Sequence, residues 1–182
     1  MAMLGLTKLP KAVVLVGVMG VGKTSVGRRL AKRLSVEFRD SDHEVEQAAG
    51  CTVADIYKWY GEHAFKDAEQ KVLTRLLQED PCVISTGVET FINDVNRTMI
   101  KDQAFSIWLS ASLETIIPRV SKRSHRPQLE SGEKEDILKQ YIHEYYPIYE
   151  HADFKINCDQ RIPDQTAELI IEELHKRFWS LE

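Results

Sequence analysis

The sequence is poor in cysteine, and its cysteines form no pattern. The chain has 3 of them, Cys51, Cys82 and Cys158, which lie far apart and include no Cys-x-x-Cys pair. This odd, scattered set argues against a disulfide framework and against a zinc site, and it favours a reducing, cytoplasmic location. The 6 histidines likewise show no spacing that would pair them as metal ligands.

A basic excess and long hydrophobic runs are also absent. The formal net charge of −4 at pH 7 argues against a nucleic-acid partner, because a phosphate backbone attracts clustered positive charge. The apolar run at residues 12–21 is too short to cross a bilayer, so we expect no membrane partner. With 182 residues and no internal repeat or linker, the chain is predicted to form one domain, residues 1–182. We expect a monomer that acts on a small molecule.

The rest of the chain predicts strands that alternate with helices. A β-branched run at residues 12–16 is typical of a strand buried on both faces. Beyond Lys23, apolar residues recur at Val26, Leu30 and Leu34 opposite charged positions, which predicts an amphipathic helix. Further strands are predicted at 37–39, 82–85, 105–109 and 154–157, with helices at 41–49, 53–60, 62–78, 93–100, 112–120, 137–146 and 167–178. This alternation predicts an α/β fold with a parallel sheet covered by helices on both faces.

One strongly polar segment, at about residues 121–135, stands out from this alternation. A long polar loop in a compact α/β domain is often a mobile lid over an active site. A solvated surface loop is the alternative, and the composition alone leaves both interpretations open.

The turn between the first strand and the first helix carries the clearest motif. Gly17 is followed after four residues by Gly22-Lys23-Thr24, the spacing of a P-loop. Glycines let backbone N–H groups turn toward phosphate oxygens, and the helix N-terminus presents further N–H groups to the same anion. Lys23 can reach the outer phosphates, and the Thr24 hydroxyl can ligate Mg²⁺. The predicted nucleotide-binding residues here are Gly17, Gly20, Val21, Gly22, Lys23, Thr24 and Ser25.

Two aspartates, Asp40 and Asp42, follow the second predicted strand. Residues two apart in an extended segment point the same way, so both carboxylates could face the nucleotide. One could hold Mg²⁺, and the other could orient or deprotonate an acceptor hydroxyl. A purely structural interpretation is equally open, since Ser41 and Glu44 fit a capping box for the next helix.

From these residues onward the chain resembles the shikimate kinase family. The matching features run in family order over about residues 12–157. They are the P-loop, Asp40-Ser-Asp42, Gly61-Glu62-x-x-Phe65 with Glu69, Ser85-Thr86-Gly87, Arg119, Arg126-Pro127-x-Leu129, and Tyr149 near Ala152-Asp153. The resemblance implies a single-domain, three-layer P-loop sandwich with a five-stranded parallel sheet. It also implies an enzyme that uses ATP and Mg²⁺ to phosphorylate a hydroxyl of shikimate.

The resemblance also assigns roles to individual residues. Lys23 would bind phosphate, while Thr24 and Asp40 would hold the metal. Asp42 would bind and polarise the acceptor hydroxyls. Arg119 would stack on adenine, and Arg126 would move in with the lid to stabilise charge on the transferring group. The predicted catalytic residues are therefore Lys23, Asp42 and Arg126.

Three positions depart from the family pattern in the acceptor half. Lys66 replaces an arginine, Val88-Glu89 replaces two glycines after Gly87, and Tyr145 replaces a second arginine. In the family, those arginines grip the substrate carboxylate. Lys66 lacks the planar fork of arginine, and Tyr145 lacks its charge. The predicted substrate residues are Asp42, Lys66, Gly87 and Tyr145.

These departures leave two alternatives to phosphorylation of shikimate. One is a relative that phosphorylates a different hydroxylated acceptor, such as one without a carboxylate. The other is a weak kinase that binds ATP and acts through a protein partner.

Several aromatic residues have simpler interpretations. Tyr141, Tyr145 and Tyr149 recur every four residues, which predicts a packing stripe along one helix. Trp59 and Trp108 are predicted to lie in the core or in the wall of a pocket.

Overall fold

A computed structural model describes residues 9–121 and 134–179 of the chain, which surround one parallel sheet. The five strands of this sheet lie in the order β2-β3-β1-β4-β5. They are β1 (Ala12–Val16), β2 (Phe38–Asp40), β3 (Val83–Ser85), β4 (Ala104–Ser110) and β5 (Phe154–Asn157). Every pairing in the sheet is parallel, so the α/β class and the five-stranded parallel sheet are confirmed.

Helices connect the strands and cover the sheet. They are α1 (Lys23–Leu34), α2 (Ser41–Ala49), α3 (Val53–Gln78), α4 (Asp94–Gln103), α5 (Leu113–Ser121), α6 (Lys134–Tyr149) and α7 (Pro163–Phe178). Every residue of β1 and β4 is buried, although alternate side chains of a strand point to opposite faces. Both faces of the sheet are therefore covered, which gives the three layers. Within the described ranges, no helix is both long and apolar enough to span a bilayer.

The carboxyl ends of the central strands meet at one edge of the sheet. Strand β1 lies between β3 and β4, and Val14 pairs with Ile84 on one side and Ser106 on the other. The P-loop therefore leaves the sheet beside Thr86, whose hydroxyl donates to the Leu15 carbonyl at 2.9 Å. Ligands of open parallel sheets bind at this edge, where successive connections diverge to opposite sides.

Element boundaries differ from the predictions by a few residues. Strand β2 is Phe38–Asp40, one residue later than predicted. Helix α7 begins at Pro163 rather than at the predicted residue 167, because proline is favoured in the first turn of a helix. The side chain of Gln165 also accepts the N–H of Ile162 there, at 3.2 Å. Gly61 has non-helical angles, φ 82° and ψ 172°, so α3 is kinked where the sequence predicts a break between two helices.

The aromatic predictions are only partly correct. Tyr141 stacks on Tyr145 with ring centroids 4.8 Å apart, and Tyr145 contacts Tyr149 edge-on, which confirms the packing stripe. Trp108 is buried in the core, as predicted. The prediction for Trp59 is wrong, because this residue is 58% exposed on the outer face of α3.

Candidate functional site

The P-loop forms a short arch between β1 and α1. Gly22 precedes α1 with φ 106°, a left-handed conformation that favours glycine. The Lys23 ammonium lies over the arch and donates to the carbonyls of Gly17 at 2.6 Å and Val18 at 3.2 Å. An anion placed here would meet both this ammonium and the free N–H groups at the start of α1. The arrangement fits the triphosphate of a nucleotide.

The predicted metal ligands Thr24 and Asp40 lie side by side. The Thr24 hydroxyl donates to Asp40 Oδ2 at 3.1 Å, which joins the first turn of α1 to the end of β2. Within residues 9–121 and 134–179, no three His, Cys, Asp or Glu side chains cluster as metal ligands do. A few protein oxygens beside a phosphate site suit Mg²⁺, which is usually completed by substrate phosphates and water. Thr24 and Asp40 therefore suit a magnesium ion better than a metal whose ligands all come from the protein.

The capping box predicted from Ser41 and Glu44 is wrong. Helix α2 begins after Asp40, whose side chain makes no capping hydrogen bond. Ser41 is buried, and its hydroxyl accepts the N–H of Gly87 at 3.2 Å. Glu44 instead accepts a hydrogen bond from Arg75 on α3 at 2.6 Å. The start of α2 is thus fixed by contacts with other elements.

A cavity of about 580 Å³, called the first cavity here, opens at the carboxyl ends of β1, β2 and β3. Its wall includes Lys23, Thr24, Asp40, Asp42, Glu69, Gly87 and Glu89. The volume is typical of a small-molecule site. Asp42 and Glu69 converge on Gly87, since a Cβ added there would lie 3.1 Å from Asp42 Oδ1 and 2.8 Å from Glu69 Oε1. A side chain at position 87 would therefore have to displace these carboxylates, which glycine avoids.

A second cavity of about 380 Å³ lies across the P-loop from the first. Both cavities are lined by Gly20 and Gly22, so the loop separates them. The other residues that matter in the second cavity are Val21, Ser25, Arg119, Arg161 and Pro163. Arg119 donates to the Val21 carbonyl at 3.4 Å, which places its guanidinium beside the loop. Arg161 was not expected here, because no motif or spacing marks it in the sequence.

The three departures from the family pattern contact one another. Lys66 Nζ lies 3.4 Å from Glu89 Oε2 and 2.5 Å from Glu62 Oε1. The Tyr145 hydroxyl donates to the other Glu89 oxygen at 3.3 Å. Burial, with the negative charge of Glu89 adding to it, raises the pKa of Tyr145, so its hydroxyl remains a donor. The hydrogen bond that Lys66 donates to the Glu62 carboxylate raises the pKa of Lys66, which therefore remains charged. We call Lys66, Glu89 and Tyr145 the Glu89 cluster.

Glu69 is a buried acid in the wall of the first cavity. Its side chain is 4% exposed and accepts the Thr90 hydroxyl at 2.5 Å. Burial is the main cause that raises its pKa to about 7, and the charges of Asp42 and Glu89 act in the same direction. The sequence places Glu69 in a shared motif but gives no sign that it would titrate near neutral pH.

We expect Glu69 to make folding stability depend on pH. The folded protein favours the protonated acid, so its contribution to stability is full below about pH 4.5 and is lost as the pH rises through about 7. The effect of Glu69→Gln is the free energy of unfolding of the variant minus that of wild type at the same pH. This difference should be about 2–3 kcal/mol more positive at pH 8 than at pH 4.5. Urea unfolding at both pH values measures this difference. The exposed Glu168→Gln should change neither value, and a pH-independent effect of Glu69→Gln would contradict the assignment.

The structure brings most of the predicted site residues to the two cavities. Asp42 and Gly87 line the first cavity, whereas Lys66 and Tyr145 contact its wall residue Glu89. Arg119 lies at the second cavity. Arg126 and nearly all of the predicted lid, residues 121–135, lie outside the described residues.

Comparisons with known proteins agree with this geometry. The profile of the family described as shikimate kinase matches residues 19–175. A shikimate kinase of Paramagnetospirillum magneticum is 40% identical over 167 residues, which cover 92% of this chain and 86% of that protein. One from Caulobacter vibrioides is 45% identical over 142 residues, 78% of this chain and 71% of that protein.

A solved structure gives the same result for the three-dimensional fold. The shikimate kinase from Acinetobacter baumannii in complex with shikimate superposes with a TM-score of 0.88 at 32% identity, covering 94% of this chain and 96% of that one. The family match thus spans residues 19–175, and the superposed fold covers 94% of the chain. The chain belongs to the shikimate kinase family.

Proposed function

We propose that this protein transfers the γ-phosphoryl group of ATP to a ring hydroxyl of shikimate. One observation carries the proposal: Asp42, the candidate base, and Lys23, the candidate phosphate ligand, line the same cavity of about 580 Å³. An acceptor in that cavity would have a carboxylate beside its hydroxyls and the outer phosphates at the P-loop. The adenine end of ATP would extend across the loop into the second cavity, toward Arg119.

The chemical step is a single displacement at phosphorus. The acceptor oxygen forms a bond to the γ-phosphorus while the bond from that phosphorus to the β–γ bridging oxygen breaks, which releases ADP. The Asp42 carboxylate takes the proton of the acceptor hydroxyl. The Lys23 ammonium and the N–H groups at the start of α1 stabilise the negative charge on the phosphoryl oxygens, which is where most of the catalysis of such a reaction lies.

Thr24 and Asp40 are the residues that would hold Mg²⁺. When bound, this ion offsets the negative charge of the triphosphate. The two side chains arise from different elements, and their hydrogen bond at 3.1 Å keeps both oxygens at the same end of the first cavity. Asp40 would thus serve as a metal ligand, while Asp42 would serve the acceptor.

We also propose that residues 1–182 form one kinase domain and that the protein acts in the cytoplasm. The single sheet supports the first point, since all five strands found in residues 9–121 and 134–179 belong to it. The three free cysteines support the second, since a reducing compartment keeps thiols unpaired.

The proposal is tested by release of ADP in the presence of shikimate. The wild-type protein with MgATP should release ADP at a rate that depends on shikimate and saturates with it. The same assay without shikimate should give a rate at least about tenfold lower, because a bound acceptor hydroxyl is aligned with the γ-phosphorus whereas water is not. A rate that does not respond to shikimate at any concentration would contradict the proposal.

Asp40→Asn tests the metal site. Loss of the charge should raise the Mg²⁺ concentration for half-maximal activity by about tenfold, as expected when one charge-assisted contact is lost. Saturating Mg²⁺ should restore much of the rate. The measurement is a titration of activity with Mg²⁺ at fixed ATP, with Asp102→Asn at the exposed end of α4 as control. An unchanged Mg²⁺ requirement in Asp40→Asn would show that Asp40 is not a metal ligand.

A further inference from the structure

The wall of the first cavity carries an excess of negative charge. Of its described residues, five are acidic and one is basic, Lys23, which belongs to the phosphate end. The acidic residues are Asp40, Asp42, Glu46, Glu69 and Glu89. Lys66 is a cation near the acceptor end, but it already contacts two carboxylates, those of Glu62 and Glu89. In the described part of the chain, the ammonium beside the acceptor end of this wall, that of Lys66, is therefore already paired with carboxylates.

Glu89 is held firmly in this wall. Its carbonyl accepts the N–H groups of Ile92 at 3.0 Å and Asn93 at 3.2 Å, which fixes the turn after β3. The preceding residue, Val88, is buried, and its carbonyl accepts the hydroxyl of the buried Tyr149 at 2.6 Å. The carboxylate itself is held on one oxygen by Lys66 and on the other by Tyr145. These contacts fix the backbone and both carboxylate oxygens of Glu89. The side chain is still 34% exposed and lines the first cavity.

This arrangement has a consequence for acceptor choice, which rests on the proposed phosphoryl transfer. A carboxylate on the acceptor would approach the carboxylate of Glu89, and like charges repel more strongly away from bulk water. Lys66 offers that carboxylate a weakened attraction, because its positive charge is already shared between Glu62 and Glu89. A neutral group at the same position meets no such repulsion, and a protonated amine would be attracted.

We propose that Glu89 is a specificity-determining residue that makes the acceptor site disfavour a carboxylate and accept ring polyols with a neutral or cationic group in its place. Glu89 acts through its charge, while Lys66 and Tyr145 position it. Shikimate remains an acceptor, but its carboxylate contributes nothing favourable to binding. The class of additional acceptors is the amide and amine analogues of a hydroxylated cyclohexene acid.

The test compares three acceptors that share one ring and differ in charge. They are shikimate, its carboxamide, and the analogue in which an aminomethyl group replaces the carboxylate. In the wild-type protein, kcat/KM for the carboxamide should equal or exceed that for shikimate, and the amine should exceed both. Glu89→Gln should raise kcat/KM for shikimate by at least about tenfold, lower that for the amine by a similar factor, and leave the carboxamide within about threefold.

Glu62→Gln is the matched control. It removes a carboxylate from the same lysine, but Glu62 is not among the residues that line the first cavity. We expect this variant to keep the wild-type order of the three acceptors. The KM for ATP and the urea midpoint should stay at wild-type values in both variants, which shows that the changes come from the acceptor site.

The outcomes separate this inference from the proposed function. If wild type prefers shikimate over the carboxamide by more than tenfold and Glu89→Gln leaves that ratio unchanged, the role of Glu89 is refuted while phosphoryl transfer stands. The role of Glu89 is also refuted if Glu62→Gln shifts the ratio as much as Glu89→Gln does. If wild type phosphorylates none of the three acceptors, the proposed function fails and this inference fails with it.

Discussion

Lys23→Ala is expected to lower kcat by about 10³-fold, the cost of removing one preorganised donor from a charged transition state. It should also weaken MgATP binding by at least about tenfold, because a hydrogen bond to a charged group contributes roughly 1.5–3 kcal/mol. Lys23 is the basic side chain that lies over the P-loop arch, held by the carbonyls of Gly17 and Val18. No other cation lines the described wall of the first cavity.

Calorimetry with a nonhydrolysable ATP analogue and Mg²⁺ measures the loss of affinity directly. Lys32→Ala is the control, because Lys32 lies on the exposed face of the same helix. This control should keep the affinity and the rate of wild type. If Lys23→Ala binds the analogue as tightly as wild type does, the P-loop does not hold the phosphates and the assignment is wrong.

Asp42→Asn should lower kcat by about 10³-fold, within the range that a positioned general base contributes. The amide keeps the size of the side chain but cannot take the proton of the acceptor hydroxyl. The affinity for MgATP should change less than threefold, because the proposed metal site is formed by Thr24 and Asp40 and does not include Asp42.

Single-turnover rates with saturating shikimate separate this chemical effect from binding. Asp67→Asn serves as the control, since Asp67 lies on the outer face of α3, where it contacts the exposed His63. It should retain the wild-type rate. A rate for Asp42→Asn within about tenfold of wild type would mean that another group, or water, accepts the proton.

Local patterns predicted the nucleotide half of the molecule well. β1 (Ala12–Val16) and the start of α1 at Lys23 are as expected, because a buried β-branched run and a glycine-rich turn constrain the backbone within a few residues. The pairing of Thr24 with Asp40 follows from the sheet, since the carboxyl ends of its parallel strands lie at one edge.

Contacts between distant segments explain the predictions that were wrong. Ser41 and Glu44 have the spacing of a capping box, but Ser41 bonds to the N–H of Gly87 and Glu44 to Arg75. Both partners lie more than 30 positions further along the chain, and no local rule includes them. Tertiary contacts therefore replace the capping box that the local spacing predicts.

The Glu89 cluster shows the same limit at the acceptor end. Lys66 is on α3, Glu89 follows β3, and Tyr145 is on α6. The resemblance identifies each of them as a departure from the family pattern. Their mutual contacts at 3.3 and 3.4 Å became visible only in the folded chain. These contacts join the three departures from the family pattern into one cluster around the Glu89 carboxylate.

The most direct test of phosphoryl transfer is to identify its product. Wild-type protein, MgATP and shikimate should yield ADP and a phosphate ester of shikimate in equal amounts, as measured by mass spectrometry and ³¹P NMR. Lys23→Ala and Asp42→Asn should yield less than about one hundredth of this ester in the same time. ADP formed without any phosphorylated shikimate, or the ester formed at equal rates by wild type and both variants, would contradict the account.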